Sequence, residues 1–259
     1  MEFTASGNYV ITMKSGVKAP QRIAALKKFQ FGFIPQHAGM TRNVVDDNII
    51  YGTYSKNGDT YVLEGFGTIV VNGGGSGAVS LDITNNSGTK VTVGAQIQQQ
   101  YKSSTKTDML CRTWNLGKIK LVQTVNGQTV ADKTFNSYAD LVRTLLEAEG
   151  LNPGDEWYEE AYKEMVEEEP KQVIFTKSGT YVVFYSNGTL AVSTWKWTDE
   201  AKGEARYSWD YSSIDNPNES GKINISFVGS QLLISEYIDA EEEGVNVSVA
   251  IQYFLSEAK

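Results

Sequence analysis

Apolar and polar residues alternate with a period of two along most of this chain, and glycine-bearing turns cut the alternation into short runs. The densest stretch lies between residues 173 and 209. Ser178-Gly179 and Asn187-Gly188 punctuate it, with β-branched and aromatic residues between them. Asn-Gly favours φ > 0 at both central positions, as a tight type I′ hairpin needs. The pattern predicts strands over 173–176, 180–185, 189–197 and 205–211, a meander of short antiparallel strands.

The same pattern extends in both directions. Residues 3–10 and 175–182 share Phe-Thr-x-Ser-Gly-x-Tyr-Val. We read this as one hairpin used once in each half; the alternative is convergence on a common hairpin pattern. A short helix is expected at 20–29 behind Pro20, and a strand with Phe29, Phe31 and Phe33 ending at Pro35. Asn57-Gly58 predicts a hairpin between 48–54 and 60–71. The glycine-rich run 72–77 reads as a hairpin tip, because no Gly-Lys-Ser/Thr follows it to hold a phosphate. Strands are expected at 78–84 and 90–101. Residues 102–108 are polar and lack apolar periodicity, so the domain boundary is expected there, giving lobes 1–107 and 108–259.

The second lobe opens with an expected strand at 110–125, containing Trp114 and turning at Asn126-Gly127. The period then changes. Tyr138, Leu141, Val142, Leu145 and Leu146 fall at helical spacing, capped by Asn136 or Ser137 and stopped at Gly150. Asn152-Pro153 is expected to open a second helix as N-cap and first position, ending at Pro170. Its apolar residues are Trp157, Tyr158, Ala161, Tyr162, Met165 and Val166. The helical hairpin therefore spans 137–169 and is expected to act as a lid, with Trp157 buried. Strand alternation returns at Ile223, Ile225 and Phe227. It continues at Leu232, Ile234 and Ile238, broken by Glu236, and at Val245, Val247, Val249, Ile251 and Tyr253.

Charge narrows the function classes. The net charge of −8 argues against nucleic acid as a partner, which needs basic surface. Residues 155–169 hold eight acids and one base, a local net of −7. No run of about 18 apolar residues exists to make a transmembrane segment, and no signal-peptide pattern is present. A single cysteine, Cys111, allows no intramolecular disulfide and no multi-cysteine metal site.

Catalytic chemistry finds no motif. The sole histidine, His37, has no Gly-x-Ser-x-Gly to serve. Glu159, Glu160, Asp210 and Glu236 are candidates for a glycosidase-type carboxylate pair, but 31 acids guarantee that some pair looks suitable. The acids near 46–48 and 239–243 lack EF-hand spacing. Asn-x-Ser/Thr triplets at Asn85, Asn187, Asn218, Asn224 and Asn246 read as incidental. The chain is therefore expected to be no enzyme, with no metal and no cofactor.

Residues 109–257 resemble the bacterial lipocalin-like domains of the calycin group, common among exported proteins of Bacteroides-type bacteria. The resemblance rests on Arg112-Thr113-Trp114, the hairpin from Phe175 to Tyr181, Trp195-x-Trp197, and the alternating C-terminal strands. Arg112 stands where these domains usually open with glycine, and the helical hairpin is additional to the usual pattern. The resemblance implies a mainly β protein of two antiparallel β-rich lobes, the second a lipocalin-like barrel. It also implies export, with the chain periplasmic or anchored to an outer membrane, although a cytoplasmic chain also fits.

A barrel of eight strands has room for one small ligand in a mostly apolar interior. The expected lining is Trp114, Tyr181, Trp195, Trp197, Tyr207, Trp209, Tyr237 and Tyr253. Two readings stay open. In one, the barrel binds a small apolar or aromatic molecule or a glycan. In the other, these rings fill the core and the helical hairpin or sheet surface docks a protein partner.

Overall fold

The computed structural model describes residues 1–4, 7–12, 49–73, 77–97, 100–148, 150–167, 169–188, 190–208, 214–215, 220–242 and 245–258. The expected helix at 20–29, the strand ending at Pro35, His37, Asp46, Trp209 and Asp210 lie outside them, as do positions 74–76 of the glycine-rich tip. The protein is mainly β and forms two compact units. The first takes the described residues of 1–12, 49–112 and 175–179. The second takes those of 113–174 and 180–258.

The first unit is a seven-stranded antiparallel half-barrel. Its strands are β1 (Glu2–Phe3), β2 (Asn8–Thr12), β3 (Ile49–Asn57), β4 (Thr60–Leu63), β5 (Gly67–Gly73), β6 (Ala78–Asn85) and β7 (Lys90–Gln96), each paired with the next. Tyr9, Leu63 and Ile69 form its buried centre, with Phe3, Tyr54, Tyr61, Leu81 and Ile83 packed around them. The expected polar boundary contains a short helix, α1 (Thr105–Leu110). Ser104 caps it, its Oγ accepting from the Thr107 amide at 3.0 Å. Leu110 therefore ends a helix and does not begin a strand.

The second unit is a closed eight-stranded antiparallel barrel. Its elements are β8 (Thr113–Val125), β9 (Gln128–Phe135), α2 (Tyr138–Ala148), α3 (Glu156–Glu167), β10 (Pro170–Phe175), β11 (Thr180–Tyr185), β12 (Leu190–Asp199), β13 (Glu204–Ser208), β14 (Gly221–Val228), β15 (Gln231–Glu242) and β16 (Val245–Glu257). The ring runs β10 to β16 in order and closes through β8, which pairs with both β16 and β10. Residues 113–115 of β8 face β10; from Ile119 onward β9 takes that side.

The Phe-Thr-x-Ser-Gly-x-Tyr-Val repeat has one structure in two places. Gly7 and Gly179 both adopt positive φ, 82° and 88°. Each donates its amide to the threonine three residues earlier, Thr4 and Thr176, at 3.2 Å. Tyr9 and Tyr181 are both fully buried.

One turn differs from expectation in its type. At Asn187-Gly188 only the glycine has positive φ, 81°, and its amide donates to the Tyr185 carbonyl at 3.0 Å. Ser186 and Asn187 are thus the central pair of an ordinary β-turn, and Gly188 supplies the left-handed residue after it, as in the longer hairpin loop. The type I′ signature appears instead at Asn126-Gly127, with φ of 50° and 77° and strand partners Val125 and Gln128 on either side.

The helical hairpin forms, with two corrections. Helix α3 starts at Glu156, not at Pro153: Gly154 has φ 96°, and the Asp155 carbonyl accepts the first helical amide, from Glu159. Trp157 is 76% exposed, so it is no part of a lid. The buried stripe of α3 is Tyr158 and Met165, with Ala161 and Tyr162 half-buried between them. Trp157 sits about 100° off that stripe, in phase with Glu160 and Glu164. Helix α2 does pack against β8 and β9, burying Tyr138, Leu141, Val142 and Leu146.

Candidate functional site

The interior of the second barrel follows from strand alternation. On β15, Leu232, Ile234 and Glu236 are buried while Tyr237 is 61% exposed. Their partners on β16, Leu255, Tyr253 and Ile251, are buried too. So are Ile225 and Ile223 on β14, facing Ile234 and Glu236. Glu236 therefore occupies an inward position on a strand that is otherwise apolar within, and it is only 4% exposed.

A polar cluster surrounds that carboxylate. The Tyr207 hydroxyl donates to Glu236 Oε1. Tyr207 reaches it from β13 by crossing its partner on β14, Gly221. The Tyr181 ring meets Tyr207 edge-on, centroids 6.5 Å apart. Ser193, the partner of Tyr181 across β11 and β12, hydrogen-bonds its hydroxyl. Burial pushes the phenols of Tyr181, Tyr207 and Tyr253 far above the ordinary tyrosine range, and the Glu236 charge adds to the rise in all three. Tyr138, the first residue of α2, is buried as well. An anionic phenolate has no place in this interior, so the three hydroxyls are proton-bearing groups gathered near one carboxylate.

The structure brings together most of the expected lining residues. Trp195 is buried and directly opposite Tyr207 across β12 and β13. Trp197 shares its side of the strand, half-buried, with the two rings T-shaped at 5.4 Å. Trp114 is buried and meets Phe227, 6.2 Å between centroids, although β8 and β14 are not neighbours in the ring. Those two rings meet across the interior. Tyr237 does not join the set. It lies on the outer face of β15 because the odd positions there point out. Trp209 is outside the described residues.

Glu236 was visible in the sequence only as an interruption of an apolar series. It keeps the phase of Leu232 and Ile234, so the signal was a carboxylate at an inward alternation position. Its partner Tyr207 could not be named from sequence, because the pairing depends on the register of three strands. Cys111 is buried. Among the described residues no three His, Cys, Asp or Glu side chains gather as a metal site requires, and no helix is long and apolar enough to cross a membrane. No protein-family model, no curated protein and no solved structure matches the chain.

Proposed function

We propose that the second unit is a binding module, with no catalytic role, that takes a small apolar or aromatic molecule or a sugar bearing a hydrogen-bond donor. The observation that carries this reading is Glu236, a carboxylate buried inside the barrel with Tyr207 donating to it and Tyr181 and Tyr253 beside it. A barrel that needed only a core would gain stability by replacing this group with an apolar one. Buried titratable groups held by a specific partner mark functional positions. Aromatic faces from Trp195, Tyr181 and Tyr207 suit a flat ring or the apolar face of a sugar, and Glu236 would accept from the ligand's donor. The resemblance to exported lipocalin-like domains supports the same reading and, with it, a location outside the cytoplasm. The test is titration of the full chain with the neutral probe N-phenylnaphthylamine and with a panel of glycans, following tryptophan and probe fluorescence. Saturable binding that Glu236→Gln weakens supports the proposal. Binding indifferent to that variant, or none with any probe, sinks it.

A second reading draws on Trp157. An indole 76% exposed on a helix bearing the −7 segment is suited to a basic protein partner, through cation–π and ion-pair contacts. Loss of a captured basic partner on Trp157→Ala, with probe binding intact, would favour it.

A further inference from the structure

The two units share one strand plan, and only one of them is closed. The repeated hairpin aligns β1 and β2 with β10 and β11. Five more strands follow in each unit, every one paired with its predecessor. In the second unit the last of these, β16, is covered along its length by β8, antiparallel. In the first unit the last, β7, pairs only with β6 among the described residues. Its outer edge occupies the position that β8 covers in the barrel.

The exposed edge is apolar. Val91, Val93 and Ala95 face Ile83, Leu81 and Val79 across β6 and β7, so they extend the inner face of the half-barrel. Val91 is 52% exposed and Val93 41%. Proteins usually guard such edges with proline, a bulge, or charges along the strand. β7 reads Lys-Val-Thr-Val-Gly-Ala-Gln, with its one charge at the first residue and a continuous register to β6.

We propose that β7 is the dimerisation edge of this protein, pairing antiparallel with β7 of a second copy. The strand is self-complementary in that arrangement. A two-fold axis through Val93, normal to the sheet, sets Lys90 against Gln96, Val91 against Ala95 and Thr92 against Gly94. No like charges face each other, and the apolar residues of both copies fall on one face. An isologous contact of this kind closes on itself and does not propagate into fibres. It supplies each half-barrel with the antiparallel neighbour that β8 gives to β16. A protein partner donating a foreign strand is the other occupant such an edge admits, and it would leave the isolated chain monomeric.

The test is sedimentation of the full chain over a wide concentration range. The wild type should reach twice the chain mass of 28.6 kDa. Val93→Lys, which places two ammonium groups at the axis, should weaken the dimer by at least about tenfold, or ~1.4 kcal/mol. Val62→Lys, at an exposed valine on β4, should leave it unchanged. In the unmodified chain, amide exchange across 90–96 should slow as concentration rises. A wild type monomeric at every concentration, a dimer untouched by Val93→Lys, or exchange indifferent to concentration overturns the proposal.

Discussion

Tyr207 lies over Gly221, the residue it faces across β13 and β14: a Cβ built on Gly221 would fall 2.1 Å from the phenol ring. Tyr9 and Gly52 repeat the relationship in the first unit, at 2.8 Å. In both, the glycine leaves room for the ring to cross a strand and deliver its hydroxyl beyond it, to Glu236 in one case and to the Glu64 carbonyl at 2.8 Å in the other. Gly221→Ala should therefore cost about 1–3 kcal/mol from overpacking. Displacing Tyr207 from Glu236 adds to that cost. Gly94→Ala, where the added methyl meets nothing within 4 Å, is the control and should stay near neutral. Urea unfolding of the two variants decides the matter.

Alkaline pH should unfold this protein steeply. Tyr181, Tyr207 and Tyr253 have folded pKa values above the unfolded value of about 10. Below about pH 10 both states keep the protons, and these groups leave stability flat. Above it the unfolded chain releases protons that the folded barrel retains, so stability falls by about 1.4 kcal/mol per pH unit for each tyrosine. Denaturant midpoints measured from pH 9 to pH 11 should show that slope. Tyr207→Phe should reduce it by about 1.4 kcal/mol per pH unit, while itself costing about 1–3 kcal/mol for the donor taken from Glu236.

Gly188 and Gly203 separate backbone strain from steric conflict. Both have positive φ, 81° and 79°. Around Gly188 a Cβ meets nothing, so Gly188→Ala should cost about 1–2 kcal/mol for the left-handed conformation alone. At Gly203 the Cβ would fall 2.1 Å from the carbonyl oxygen of Ile225, a residue whose amide donates to the Gly203 carbonyl at 2.7 Å, so the backbone there cannot draw back without losing that bond. Gly203→Ala should be clearly the more damaging, read as the larger drop in melting temperature.

Trp157→Ala should change stability by no more than about 0.5 kcal/mol, because the side chain stands in solvent. Leu141→Ala, on the buried face of α2, should cost about 2–5 kcal/mol. Acrylamide should quench Trp157 readily while Trp114 and Trp195 stay protected.

Most strands were legible because each is an alternating run bounded by a turn, and 180–185 was read to the residue; β4 and β5 read as one strand over 60–71, and β9 was not expected. Pairing of consecutive strands followed from the short turns. Ring closure through β8 did not, since nothing local links residues 113–125 to residues 245–257. Helix α3 shows where a periodic reading goes astray. Trp157, Tyr158, Ala161 and Tyr162 offer two overlapping stripes, and only Glu160 and Glu164 reveal that the one through Trp157 faces water. The aromatic lining was readable as an alternation, but which rings meet depends on register. Hence Trp195 and Tyr207 were both expected in the lining, whereas the contact of Tyr207 with Glu236, two strands apart, was not expected.

The closing strand pair has a consequence for biosynthesis. Val125 pairs with Val247 and Trp114 with Glu257, joining the earliest strand of the barrel to the last. Contacts that distant in sequence form slowly. A nascent chain holds β8 ready long before β16 leaves the ribosome, and its barrel stays an open sheet until β16 has emerged. During that interval β8 carries a bare edge, the kind of surface on which chaperones act and neighbouring polysomal chains tangle.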